Sequence, residues 1–262
     1  MSAFTVEREG AVAAVLINRP EKRNALRASD AAELFELIAA LDGDADVRCV
    51  LLGGTGGWLS AGGDLSEAVA DTPADADRQT GDYQSALRAV TDTRVPVVVV
   101  LEGAAVGAGA AFALAADVCV AAPDSRIMVP WLARGLVPDM GVAFLLARQV
   151  GAARAKACLL AGGVIAAAQA VEWGLVASVD DDPWGRAREW AARIAAGPPV
   201  ATAFTKRLVN TAQFDGLDAY LEMERSAIGM SFGTSEPAEG IAAFVEKRAP
   251  NFDGAPKSAR DE

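Results

Sequence analysis

No histidine occurs anywhere in the 262 residues of this chain. That absence removes the Ser-His-Asp and Cys-His nucleophile systems, which need an imidazole to carry the proton, and it strips ordinary zinc sites of their usual nitrogen ligand. Cysteine is scarce as well. Cys49, Cys119 and Cys158 are widely spaced and odd in number, with no CxxC pair, and they read as reduced core residues of a cytosolic protein. Basic residues are outnumbered, 24 Lys plus Arg against 35 Asp plus Glu, for a formal net charge of -11. A nucleic-acid partner needs a basic footprint and is not expected. An anionic small ligand remains open, because a few local cations or helix N-termini suffice for phosphates. The opening residues, Met1 to Glu9, lack the basic-then-apolar order of a signal peptide, so a cytoplasmic location is expected.

What is present is a globular composition, 52% apolar and 23% charged, long enough for one large domain with a full core or a domain plus a helical appendage. Residues 95–116 are almost wholly apolar and could in length span a bilayer. Pro96, Glu102, Gly103, Gly107 and Gly109 interrupt them, and they split more naturally into a buried strand, a glycine turn and a buried helix. No membrane partner is expected.

Short β-branched runs at 4–7 and 12–17 flank Glu9-Gly10 and predict a hairpin. Ser29 or Asp30 can cap a helix running to Leu41, with Leu34, Leu37, Ile38 and Leu41 on one face. Residues 47–52 read as a buried strand followed by a glycine-rich loop at 53–57. Residues 70–80, carrying Asp71, Asp75 and Asp77, read as a mobile polar loop, with a helix from about 82 to 91 behind it. Then come a strand at 97–101, a helix from about 107, strands at 118–121 and 127–129, helices at 140–150 and 153–160, and a strand at 175–179. Strands alternating with helices predict an α/β architecture. Pro183 suits a helix start and Gly197 its end. Beyond Gly197-Pro198-Pro199 the pattern is helical throughout, at about 200–211, 218–228 and 237–247, and the last dozen residues read as frayed. The expected division is 1–196 for the core with the active site and 197–262 for a helical C-terminal region.

Two places bring a strand end and a helix start together with small residues. One is Ser60-Ala61-Gly62-Gly63-Asp64-Leu65; the other is Glu102-Gly103-Ala104-Ala105-Val106-Gly107-Ala108-Gly109. Small residues let a ligand approach main-chain N–H groups, and the helix start near Gly107 favours negative charge. Two N–H groups converging on one carbonyl oxygen would form an oxyanion hole. Taken singly, each loop is also what an ordinary glycine turn looks like, with Asp64 as a cap. A dinucleotide-binding reading of Gly107-Ala108-Gly109 is weak, because the glycines start late after the strand and Phe112 takes the third glycine position.

These two loops, preceded by Asn18-Arg19-Pro20 and Asn24-Ala25-Leu26, resemble the enoyl-CoA hydratase/isomerase (crotonase) superfamily in the same order. Gly151 onward, Gly174-Leu175-Val176 and Phe244-Val245-Glu246-Lys247-Arg248 extend the resemblance over nearly the whole chain. It implies a spiral of repeated ββα units, a C-terminal helical region that packs in homotrimers or homohexamers, and an acyl-CoA thioester substrate. No metal or further cofactor is implied, coenzyme A entering as part of the substrate. The oxyanion donors would be the N–H groups of Gly63 and Ala108. Arg23 would approach the CoA phosphates; Ala61, Asp64 and Leu65 would line the adenine end through backbone atoms, with Phe244 and Lys247 closing over it.

The chain departs from that pattern where hydratases carry two glutamates: the matching positions hold Ala111 and Trp131. Neither side chain activates water. Gly135-Leu136-Val137-Pro138-Asp139-Met140-Gly141 resembles the turn in which isomerase branches place a single carboxylate, and Asp139 takes that position. One carboxylate suits a 1,3-proton shift, taking a proton from C2 and returning it at C4. Trp131, Leu132, Val137 and Met140 would wall it and raise its pKa by desolvation. Asp139 also reads as a simple cap for a helix starting at Met140. The Trp131/Asp139 spacing resembles the aryl-CoA dehalogenase branch too, but that branch needs a histidine base. The favoured reading is a 3-enoyl-CoA to 2-enoyl-CoA isomerase. The alternatives are hydration or hydrolysis through another group such as Glu102, and a catalytically silent acyl-CoA-binding protein.

Overall fold

In the computed structural model, which describes residues 2–66, 70 and 72–252, β1 (Phe4–Glu9) and β2 (Val12–Ile17) form the expected antiparallel hairpin. From β2 onward every pairing in the main sheet is parallel: β3 (Cys49–Gly54), β4 (Val97–Leu101), β6 (Val118–Ala121) and β9 (Ser178–Val179), in the order β1-β2-β3-β4-β6-β9. β3 and β4 are buried at every position, as parallel strands covered on both faces must be. Helix α7 (Pro183–Ala195) covers one face, packing Ala187, Ala191 and Ala195 against Cys49, Leu51, Val98, Val100 and Val120. The larger core lies on the other face, where α1 (Ala28–Gly43), α2 (Pro73–Asp92) and α3 (Ala108–Ala115) meet residues such as Leu52, Val99 and Leu101.

A second sheet, β5 (Ala104–Val106), β7 (Arg126–Met128) and β8 (Val164–Ala166), has the order β5-β7-β8. The chain passes from a strand of the main sheet to one of the small sheet and then into a helix: β4-β5-α3, then β6-β7 and α4 (Val142–Val150). Single bridges, Leu26↔Gly63 and Ser60↔Ala105, carry the same arrangement into the earlier turns. This is the spiral of ββα units expected above. Helices α5 (Ala152–Ala161) and α6 (Ala167–Glu172) complete it. Three helices follow, α8 (Pro199–Phe214), α9 (Leu217–Ser231) and α10 (Glu236–Glu246); α9 packs on α2, and α10 on the 3-10 turn Leu132–Arg134. Among the described residues no helix is long and apolar enough to cross a membrane, and residues 95–116 divide into β4, β5 and α3.

The structure corrects several expectations. Residues 73–80 are not a loop but the first turns of α2, which begins nine residues earlier than the expected helix at 82. The start signal was present: Thr72 is the N-cap, its Oγ1 accepting the Asp75 N–H at 3.1 Å, and Pro73 occupies the first turn. Acidic composition hid a face, Ala76, Thr80, Gln84 and Leu87, that is buried. Helix α1 is capped at Arg27, with Asp30 at the third helical position returning a bond to the Arg27 N–H at 2.9 Å. The strand expected at 47–52 runs through Gly53 and Gly54, and the one expected at 175–179 shrinks to Ser178–Val179. Asp71 and the terminal residues from 253 on lie outside the described residues.

Candidate active site

The two small-residue loops lie side by side because backbone bonds zip them together. Ser60 N–H donates to Ala104 O at 3.2 Å, and Val106 N–H donates to Ser60 O at 2.9 Å. The closeness demands glycine at Gly62, where φ is +91° and a Cβ would stand 2.8 Å from Val106 O. Gly63 and Ala108 each follow the bridged pair Ser60↔Ala105 by three residues, so they leave the junction together. Leu26 N–H donates to Gly62 O and Asp64 N–H to Leu26 O, both at 2.8 Å, which turns the intervening Gly63 N–H away from Leu26. Ala108 is the first residue of α3, where an N–H has no intrahelical acceptor. Among the described residues no acceptor engages either N–H.

Both residues line one cavity of about 340 Å³, together with Ala61, Asp64, Leu65, Trp131, Asp139 and Phe244. The newly extended α2 contributes Ala76, Gln79, Thr80 and Tyr83 to the wall, and α9 and α10 close it with Ile228, Ile241 and Phe244. Such a volume is within the usual range for a small-molecule site.

Two acids lie on that wall among the described residues, Asp64 and Asp139. Asp64 is engaged: Arg19 Nη2 donates to it at 2.9 Å and Ser66 Oγ at 2.6 Å. These bonds hold its carboxyl below the usual range in spite of burial, so it is a poor proton acceptor. Asp139 is different. Helix α4 starts at Val142 rather than Met140 and its N-cap is Gly141, with no side-chain capping bond, so the carboxylate is not spent as a helix cap. Burial pushes its pKa up to about 6, against the opposing pull of the Trp131 indole and its own backbone N–H. Trp131 is buried at 6% exposure, and its Nε1 donates to Asp139 Oδ1. Ala111 is wholly buried inside α3.

Some sequence-predicted residues do not line this cavity. Arg23 is exposed, its guanidinium stacked over the Trp58 ring at 4.9 Å, and Lys247 is an exposed left-handed cap at the end of α10; neither is on the cavity wall. Glu102 accepts the Trp184 indole N–H at 2.8 Å and also lies off the wall. Sequence reasoning overlooked Tyr83, whose hydroxyl donates to Leu26 O at 2.7 Å beside Gly63. It also overlooked Arg134, which stacks on Phe244 at 4.4 Å, and Glu224 on α9. The last left a readable trace: Leu217, Leu221, Glu224 and Ile228 share one buried helix face, so an acid interrupts an otherwise apolar stripe.

A family model described as enoyl-CoA hydratase/isomerase matches residues 7–255 of the chain. The chain is 32% identical over 252 residues to the 1,2-epoxyphenylacetyl-CoA isomerase of Escherichia coli K12, covering 94% of this chain and 96% of that protein. It is also 32% identical, over 257 residues, to the 2,3-dehydroadipyl-CoA hydratase of the same bacterium, covering 97% of this chain and all of the relative. Among solved structures, an enoyl-CoA hydratase from Mycobacterium avium subsp. paratuberculosis K-10 superposes with a TM-score of 0.87 at 31% identity, over 95% of this chain and 98% of that one.

Proposed function

Since this chain belongs to the enoyl-CoA hydratase/isomerase family of acyl-CoA enzymes, we propose that it is a 3-enoyl-CoA to 2-enoyl-CoA isomerase working through a single carboxylate. The observation that carries the reading is Asp139: the one acid on the cavity wall, among the described residues, that is not tied to a cation. The thioester oxygen is held by the Gly63 and Ala108 N–H groups, which stabilise the negative charge that develops when C2 loses its proton. Asp139 takes that proton as carboxylate and, as carboxylic acid, returns it at C4. The C2–H bond breaks, a C4–H bond forms, the double bond moves from C3–C4 to C2–C3, and Asp139 ends ionised as it began. A carboxyl of pKa about 6 suits both halves, being largely ionised at neutral pH yet basic enough to hold the proton briefly.

A relative named as a hydratase and one named as an isomerase stand at the same identity, so their names do not choose between the reactions. Hydration needs a group to activate water, and the matching positions hold Ala111 and Trp131. Substrate CoA is the only cofactor in this reading, and the location is cytoplasmic. The assembly is a homotrimer or homohexamer through the C-terminal helices, where Val200, Phe204 and Leu208 of α8 are exposed.

Deuterium uptake at C2 of an acyl-CoA in heavy water, with a screen of 3-enoyl, 2-enoyl and aryl CoA esters, tests the proposal. Uptake and double-bond migration that collapse in Asp139→Asn, by about 10²- to 10⁴-fold, are expected. Tight binding without exchange would identify a silent acyl-CoA-binding protein. Hydration surviving in Asp139→Asn would point to another acid or base.

A further inference from the structure

Near Asp139, but off the cavity wall, lies a second buried carboxylate. Glu224 of α9 is 3% exposed, and it is not part of the cavity wall. Its Oε2 accepts the Gly141 N–H at 2.9 Å, and its Oε1 accepts Gln84 Nε2 at 2.9 Å; the same Gln84 nitrogen also reaches Leu221 O at 3.1 Å. The turn it grips is a strained one. Met140 has φ +52° and Gly141 φ +65°, and the left-handed region disfavours any residue with a branched or long side chain, so the surroundings must hold Met140 there. Met140 is wholly buried. Were the turn to relax to ordinary angles, the carboxylate one residue earlier would swing, because Asp139 is bound to the turn on its C-terminal side, with the Trp131 indole and its own backbone N–H holding its tip.

We infer that Glu224 is a positioning residue, holding the Met140–Gly141 turn from the C-terminal helices so that the Asp139 carboxylate faces the thioester. The inference rests on the reading of Asp139 as the base. It makes α9 a structural part of the active site, joined to α2 through Gln84, although no atom of Glu224 meets substrate. Charge in the neighbourhood agrees with a neutral Glu224. Burial and the nearby charge of Asp139 push its pKa up to about 8, against the bonds from Gln84, Gly141 and Met140. The cations of α2 and α9 are engaged elsewhere: Arg78 with Asp75, Arg88 with Asp218 and Asp92, and Arg225 with Asp77. Tyr220, one turn earlier on α9, is kept neutral by burial first, and by the charges of Glu224 and Asp139 once these are ionised. Two carboxyls in one apolar region titrate as a pair, and the first proton to leave belongs mainly to Asp139.

The test compares Glu224→Gln with Glu224→Ala in the full-length protein, reading kcat and KM for C2 exchange and, independently, the titration of Asp139 by 13C NMR of labelled aspartate. Glu224→Gln keeps an acceptor oxygen for Gly141 and should stay close to wild type at neutral pH. Glu224→Ala should lose about 10- to 100-fold in kcat with KM little changed, and its Asp139 should titrate nearer the ordinary carboxylate range as water enters the turn. In the wild type the Asp139 resonance should show a second inflection near the Glu224 pKa of about 8, absent from Glu224→Gln. Wild-type kcat together with a wild-type Asp139 titration in Glu224→Ala overturns the inference. If the wild type exchanges no C2 proton, the isomerase reading falls, while the Asp139 titration in Glu224→Ala against wild type still decides the role of Glu224. If Glu224→Ala fails to fold, Glu224→Asp, whose shorter side chain reaches the Gly141 N–H less well, decides it: a lowered kcat with KM little changed supports the inference, and wild-type kcat overturns it.

Discussion

The indole Nε1 of Trp131 donates to Oδ1 of Asp139 at 3.1 Å. A tryptophan therefore stands where the family resemblance expects a glutamate, and it serves the one remaining carboxylate instead of competing with it. A hydrogen bond to a carboxylate favours the ionised form, so this contact partly offsets the desolvation that raises Asp139. In Trp131→Phe the donor is lost and the pKa should climb above about 6. Because the base must be ionised to accept a proton, the acid limb of the kcat/KM profile should move to higher pH by about one pH unit. A full pH profile of C2 exchange in both proteins checks this, and an unmoved limb would show that the contact does not govern the ionisation.

The oxyanion assignment concerns main-chain atoms, which side-chain truncation does not reach. Ala108→Pro deletes one N–H while suiting the first position of α3, where proline is well tolerated. If that N–H stabilises the enolate, kcat should fall by about 10²- to 10³-fold, with circular dichroism and Tm close to wild type. Unchanged turnover in a folded Ala108→Pro variant would mean the oxygen is held elsewhere.

Gly240 of α10 lies so close to the turn carrying Arg134 that a Cβ there would stand 2.1 Å from the Arg134 carbonyl carbon. Backbone cannot yield as a flexible side chain would, so Gly240→Ala should lift α10, and with it Ile241 and Phe244 leave the cavity wall. Overpacking of this kind costs about 1–3 kcal/mol. If it falls on substrate binding, the Kd for acyl-CoA should rise roughly ten-fold or more, with a smaller change in kcat. Calorimetric titration with an unreactive acyl-CoA measures it.

Stability should also depend on pH through Glu224. Its folded pKa of about 8 lies above the ordinary value of 4.5, so between these pH values the folded chain keeps a proton that the unfolded chain has released. Stability from this group is thus complete below about pH 4.5 and is lost as pH rises toward 8. Asp139 acts in the same direction over the narrower span from 3.8 to about 6. Glu224→Gln should flatten the decline of Tm between pH 5 and 9, by an amount on the order of a few kcal/mol in unfolding free energy. Parallel Tm-against-pH curves for variant and wild type would contradict it.

Much of the architecture was legible because it is written in short-range patterns. The apolar runs of β2, β3 and β4 call for burial, the turn at Gly10 suits a hairpin, and Gly62 and Gly107 announce close backbone approaches. What escaped was carried by context. The start of α2 is masked by the acidic Asp75 and Asp77, although Thr72-Pro73 marks it well as a cap and first turn. Arg23 and Lys247 fit the family pattern in sequence; neither lines the cavity, although the Arg23 carbonyl accepts the N–H of Ala61, a wall residue, at 2.9 Å.

The sequence by itself determined most of the order of strands and helices, though not β5, β8 and α6, together with the lack of any imidazole, the absence of glutamate at 111 and 131, and the presence of an acid at 139. These are properties of single residues and of hydrogen bonds between near neighbours. Only the tertiary structure decided that Gly63 and Ala108 border one cavity, that Asp64 is neutralised by Arg19 while Asp139 is not, and that Glu224 reaches the turn behind it. The reason is that a carboxyl's ionisation and an amide's availability depend on which groups exclude water from them, and that enclosure is assembled from segments far apart in the chain.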